Sequence, residues 1–246
     1  ASSSVELRLA PALALGVLDG LEDLIGYPYG CVEQTMSRVL PNAVVDRLLL
    51  ELDLDIPEIT DELPDMVAKG LQRLYGFQNT DGSWGWWHGE GNVHTTAYVL
   101  HGLTLTEQAG NAVDSDVLDS GFAWLTANLA SETDPRIRAY GAYVMAQAGR
   151  GDADATRQLA AEADRLDTFA LAALAVASDA VGLDAQADAL LDRLIAAAVT
   201  SPTTAHWPLN LPDGSRWEPY HWRTMASSEK NTAMALQALA RLQPDS

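Results

Sequence analysis

The chain has 246 residues, 48% of them hydrophobic, with 34 acidic against 15 basic side chains and a formal net charge of -19. That length and apolar content support one large or two small packed domains and argue against intrinsic disorder. The acidic surplus disfavours nucleic acid and anionic membrane as partners, because both would repel it. One cysteine, Cys31, excludes an internal disulfide and a cysteine-based zinc cluster. There is no apolar run of the length a membrane span needs. The opening segment has no basic region of the kind a signal peptide carries, and Ala1 is read as a boundary inside a longer protein.

Alanine and leucine dominate and β-branched residues are sparse, which favours helix. Apolar residues recur at helical spacing over 5–24, 31–52, 62–77, 93–110, 115–130, 134–149, 152–165, 167–181, 184–200 and 228–243. Breakers fall between these segments, at Gly26 with Pro28, Gly76, Gly110, Gly149 with Gly151, Gly182 and Pro202. No stretch alternates long enough to predict a strand. Gly91–Leu105 and Ser227–Leu242 share a pattern of polar cap, Thr-Ala and alternating small and large apolar residues; Arg136–Gly149 and Asp167–Gly182 are looser copies. These four are apolar nearly all round and read as buried, while the segments between them have a wetter face. Alternating buried and half-exposed helices predict an all-α fold, an α/α toroid of about six hairpins in two concentric rings, occupying 1–246 as a single domain.

Two loops are rich in aromatics and glycine, Phe77–Asn92 and His206–Trp222, and hold six of the seven tryptophans: Trp84, Trp86, Trp87, Trp207, Trp217 and Trp222. The plain reading is that they cap helix pairs and bury their indoles locally. The functional alternative is an aromatic rim that shields or recognises something. The acidic run Glu51–Asp65 lacks the glycine and spacing of a calcium loop and reads as a solvated connection. His94 and His101 read as ordinary helix residues. His88 and His221, in the aromatic loops, are better placed to approach the cysteine.

Cys31 follows Gly30 and precedes Gln34 by three residues. Glycine permits a strained turn just before the cysteine. A helix starting there has free amide groups and a positive dipole end in its first turn, both of which favour a thiolate. The sulfur can then reach the side-chain carbonyl carbon of Gln34. Attack would expel ammonia and leave an internal thioester, an activated acyl group open to a passing amine or hydroxyl. Water must be kept away until coupling; Tyr27, Tyr29 and Met36 are candidate apolar cover. Taken alone, a lone Cys-x-x-Gln is more often a buried thiol beside a surface amide.

The surroundings of the motif change that balance. Pro28–Met36, "PYGCVEQTM", closely resembles the thioester motif of the alpha-2-macroglobulin and complement family, and the bacterial members most. Leu71–Leu103, Ser115–Ala130 with Trp124-Leu125, and the closing "TAMALQALARL" are similar to later family segments. The resemblance implies the thioester-containing α/α toroid of a larger secreted or periplasmic protease inhibitor. In that family a protease cuts elsewhere in the molecule and the exposed bond couples to the attacker. It implies Cys31 and Gln34 as thioester partners and Glu33 as part of the motif, in a single-turnover trap with no cofactor and no metal. The partners it implies are target proteases, coupled through lysine amines, and the other domains of the parent protein. A terpenoid-cyclase-type enzyme on the same toroid, suggested by "QNTDGSWG", lacks the Asp-x-Asp-Asp acid motif, since Asp53–Asp55 continues with Ile56. A non-reactive interaction module would not need both Cys31 and Gln34.

Relatives that favour hydroxyl targets carry a histidine in the loop that here runs Ser131–Tyr140, "SETDPRIRAY", with none. The resemblance therefore implies amine selectivity. The intact bond should be trapped far faster by methylamine than by glycerol, measured as thiol release; comparable rates would contradict this.

Overall fold

The computed structural model of the protein describes residues 30–51, 63–209 and 223–244. The helix expected over 5–24, Tyr27 and Tyr29, most of the acidic connection after Glu51, and the second aromatic loop from position 210 with Trp217, His221 and Trp222 lie outside them. Nine α-helices stand among the described residues: α1 (Val32–Glu51), α2 (Leu63–Phe77), α3 (Val93–Gln108), α4 (Ser115–Leu129), α5 (Pro135–Gln147), α6 (Ala153–Ala160), α7 (Thr168–Ala180), α8 (Asp184–Ala196) and α9 (Ser228–Leu242).

Two boundaries differ from the periodicity. The helix expected over 152–165 ends at Ala160 and resumes as a 3₁₀ turn, Ala163–Arg165. The helix expected to reach 200 stops at Ala196; β1 (Val199–Thr200) then pairs antiparallel with β2 (Ala205–His206), Val199 opposite His206. The hairpin closes because Ser201 organises the turn, its hydroxyl accepting from the Thr204 N–H at 3.1 Å. The β-branched pair Val199-Thr200 suits an extended ribbon better than a last helical turn.

α1, α3, α5, α7 and α9 pack successively against one another, and α2, α4, α6 and α8 lie outside them against their inner neighbours. This is the expected two-ring α/α toroid. The four segments read as apolar all round are inner helices α3, α5, α7 and α9, but α9 departs from that reading: only Asn231, Met234, Ala235 and Ala238 are buried, and Leu236 is exposed. In α7 every residue from Ala170 to Ser178 is buried, five of them alanines. Small side chains on all faces let the helix sit between neighbours on every side.

Helix ends follow local chemistry. Asn92, Asp114, Asp134, Asp152, Asp167 and Ser227 each cap a helix N-terminus through a side-chain oxygen. Gly110, Gly149 and Gly182 stop α3, α5 and α7 at φ 93, 68 and 74°. In each case the next residue's N–H returns to a last-turn carbonyl, as Asn111 does to Thr106 at 3.2 Å.

The Thr-Ala repeat has a structural counterpart. Trp84 donates its indole N–H to the Leu74 carbonyl at the end of α2 (2.9 Å), and its backbone N–H to Thr96 Oγ1 of α3 (3.0 Å). Trp207 does the same, to Leu194 of α8 (2.7 Å) and Thr232 of α9 (3.0 Å). Each tryptophan thus bonds to a last-turn carbonyl of an outer helix and ties that helix to the next inner one. For Trp84 and Trp207, local burial is the correct reading.

Buried His94 and half-buried His101 share one face of α3, against Tyr140 of α5 with ring centroids 5.5 and 6.0 Å away. The two nitrogens of His101 meet the hydroxyls of Tyr140 (3.1 Å) and Tyr143 (3.4 Å). Burial, reinforced by the Lys230 charge and for His94 by Arg223, lowers their pKa values to about 3 and about 4 respectively. The unfolded chain therefore binds more protons than the folded one below about pH 6.5, so stability falls as pH drops from there towards the folded values. The loss should be up to about 1.4 kcal/mol per pH unit for each histidine. Urea unfolding at pH 6.5, 5.5 and 4.5 should show this slope, and a His94→Asn, His101→Gln double variant should flatten it.

Candidate functional site

Cys31 immediately precedes α1 and acts as its cap residue: its carbonyl accepts the Thr35 N–H at 2.9 Å and the Thr35 hydroxyl at 2.9 Å. The thiol is free and the residue is buried, with 6% exposure. Gln34, the third helical residue, turns its side chain back so that Oε1 accepts the Cys31 N–H at 3.0 Å. This is the reciprocal half of a capping box, in which a Glu or Gln at that position satisfies the cap residue's own N–H. The pair is thus brought together by helix-end hydrogen bonding, a more specific cause than two side chains sharing one helical face.

Gly30 makes the approach possible. It sits at φ +98°, and a Cβ there would lie 1.9 Å from Gln34 Oε1 and 2.7 Å from Gln34 Cδ. The carboxamide occupies the volume any other side chain would fill. Two neighbours hold the turn. Arg73 of α2 donates from Nη2 to the Gly30 carbonyl at 2.6 Å, and Val32 donates its N–H to the Trp86 carbonyl at 3.0 Å. The loop carrying Trp86 is braced by Asp81, which accepts from Ser83 N (3.0 Å), Ser83 Oγ (2.6 Å) and Trp124 Nε1 (3.1 Å). Those hydrogen bonds hold the Asp81 carboxyl below its ordinary pKa.

The other expected residues fall into different places. Glu33 is half-buried and accepts from the Ser37 hydroxyl at 2.6 Å, on the side of α1 near Tyr98. Met36, expected as cover, is fully buried, and its methyl end fills the space above Gly102 of α3. His88 is exposed, with its ring 5.1 Å from that of Phe77. No group of three or more His, Cys, Asp or Glu suited to a metal ion occurs among the described residues. Arg73 and the Trp86 carbonyl were not legible in the sequence. The cap-x-x-Gln spacing was a readable signal for the Gln34 bond.

Chemically, the arrangement presents a side-chain carbonyl whose oxygen already accepts a backbone N–H, that of a residue with a buried free thiol. Comparison with known proteins places it. The sequence profile of the A-macroglobulin TED domain matches residues 4–135. An alpha-2-macroglobulin of Thermotoga maritima is 36% identical over 143 residues, 58% of this chain and 8% of that protein. Thioester-containing protein 1 (allele S3) of Anopheles gambiae is 29% identical over 127 residues, 51% of this chain and 10% of that protein. The chain thus spans a tenth or less of the length of these relatives. In structure it is similar to native Escherichia coli alpha-2-macroglobulin from domain MG7 to the C-terminus, with TM-score 0.73 and 22% identity over 93% of this chain and 36% of that one. It is also similar to Salmonella alpha-2-macroglobulin reacted with methylamine, with TM-score 0.71 and 19% identity over 92% of this chain and 15% of that one.

Gly30→Ala should lose about 2 kcal/mol, combining the left-handed backbone cost with loss of the Gln34 capping bond. Urea unfolding of the variant checks this; a loss under about 0.5 kcal/mol would mean the turn is not held as described.

Proposed function

The chain belongs to the A-macroglobulin TED domain family, and from that premise we propose that it is the covalent arm of a macroglobulin-type protease trap. The reactive group is a thioester between Cys31 Sγ and Gln34 Cδ. In its formation the Sγ–Cδ bond forms, the Cδ–Nε2 bond breaks, and the thiol proton leaves with ammonia. In coupling, an amine nitrogen bonds to Cδ, the Cδ–Sγ bond breaks, and the amine's proton ends on the Cys31 sulfur. The product is a stable amide, so each molecule acts once and the protein is a trap without turnover.

The observation that carries this reading is the fold-back of the Gln34 carboxamide onto the Cys31 N–H, over a glycine that leaves room for it. The Cys31 thiol is buried but Gln34 is exposed, so the carbonyl that water would attack needs cover from other domains. Glu33, whose carboxylate is already engaged by Ser37, belongs to the turn that presents the pair. Tyr27 and Tyr29 are proposed as its apolar surroundings, whereas Met36 is committed to the core over Gly102. The targets are lysine amines of an attacking protease. The chain works as one domain of a larger secreted or periplasmic protein, whose other domains cover the bond until cleavage.

Intact mass of the freshly purified full-length protein is the test. A formed thioester makes it lighter than its encoded mass by one ammonia, about 17 Da, and methylamine should add its own mass and release one thiol. Cys31→Ala should show the encoded mass and no coupling to a protease. An unmodified mass in fresh wild-type protein, with no thiol released by methylamine, would sink the proposal.

A further inference from the structure

The two bonds made by the peptide between Gly30 and Cys31 carry a consequence for the chemistry at Gln34. Its oxygen accepts from Arg73 Nη2 at 2.6 Å, and its N–H donates to Gln34 Oε1 at 3.0 Å. One planar peptide unit therefore links a guanidinium to the carbonyl at which the chemistry occurs. In either direction of the proposed reaction, attack on Cδ moves the carbonyl electron pair onto Oε1. The Cys31 N–H stands at the distance of an oxyanion donor. A short charge-assisted bond to the peptide oxygen polarises the unit and strengthens its N–H as a donor.

Resting on the thioester reading above, we infer that Arg73 is a positioning residue for this reaction: it pins and polarises the Gly30–Cys31 peptide so that the Cys31 N–H stabilises the negative charge that gathers on Gln34 Oε1.

The side chain is built for that task. The Arg73 guanidinium carbon lies 5.1 Å from the centroid of the Phe77 ring, one turn along α2. Phe77 in turn packs against His88 (5.1 Å) and Trp87 (6.3 Å) of the loop whose Trp86 carbonyl holds the Val32 N–H. α2 and this loop together fix both peptides that flank Cys31. Arg73 makes no ion pair with a carboxylate among the described residues, so its charge is directed to the Gly30 carbonyl. Its Nε is buried and has no hydrogen-bond partner there. Such a half-buried cation is an expensive choice for a helix that needs only packing.

The test compares full-length wild type, Arg73→Gln and Arg73→Lys by intact mass, by the second-order rate of methylamine-induced thiol release, and by melting temperature. Arg73→Gln is expected to hold less thioester and to release thiol at least ~10-fold more slowly per bond formed, because a charged donor is lost. Arg73→Lys keeps the charge without the planar fork, and should be about two- to fivefold slower than wild type with a similar melting temperature. Wild-type thioester content and rate in Arg73→Gln would overturn the inference while leaving the thioester itself intact. A wild-type protein without the ammonia deficit would instead overturn the thioester reading, and this inference with it. If Arg73→Gln does not fold, Arg73→Lys decides: a rate equal to or above wild type overturns the role.

Discussion

A single hydrogen bond, from the Cys31 backbone N–H to Gln34 Oε1, is the constraint on which the function proposed for this molecule depends. It needs three things at once. The backbone at Gly30 must be left-handed and free of a side chain, because the carboxamide sits where a Cβ would be. A helix must start at Val32, so that the third helical residue can reach back to the cap. The turn must be held from outside, which Arg73 and the Trp86 carbonyl do. An ordinary helix-capping device thereby holds the Gln34 carboxamide against the backbone of the cysteine.

The toroid supplies the outside support. Its most enclosed helix, α7, is alanine-rich because neighbours surround it, and close approach from several sides leaves little room for large side chains. The polar groups inside the ring are matched to one another. His101 bridges two tyrosine hydroxyls, Gln237 donates to Tyr143 at 3.0 Å, and Lys230 lies over the Phe169 ring while donating to the Thr224 carbonyl at 2.8 Å. Burial brings the Lys230 pKa down to about 8. Burial thus disfavours the charged forms of His94, His101 and Lys230 alike. None belongs to the Cys31 turn. The pH sensitivity of the fold and the reactivity of the motif therefore arise in different parts of the molecule.

The acidity of the chain also has local causes. Asp114, Asp134, Asp152 and Asp167 cap helices, where a carboxylate satisfies free N–H groups and meets the positive dipole end. Asp81 organises the loop that reaches the reactive turn. Arginines answer several of the remaining carboxylates, as Arg138 does Glu162 at 2.7 Å and Arg193 does Asp164 at 2.7 Å. The acidic surplus is thus partly a by-product of how the helices are terminated.

Sequence alone determined the class of fold, and it singled out the pair proposed to react. Helical period, Asx and Ser caps and glycine stops are local properties, and each helix end carries its own chemistry within a few residues. The Cys-x-x-Gln spacing after glycine is equally local, since one helical turn suffices to close it. The helix stop at Ala196 and the small hairpin after it were decided by the Ser201 turn, against an apolar period that ran on. Tertiary structure alone decided what holds the reactive turn. Arg73 is distant from Gly30 in the chain, and a backbone carbonyl such as that of Trp86 leaves no mark in an amino-acid sequence. It also decided that Met36 fills the space over Gly102 and that His94 and His101 stay uncharged, because burial is a property of the assembled ring and not of any one helix.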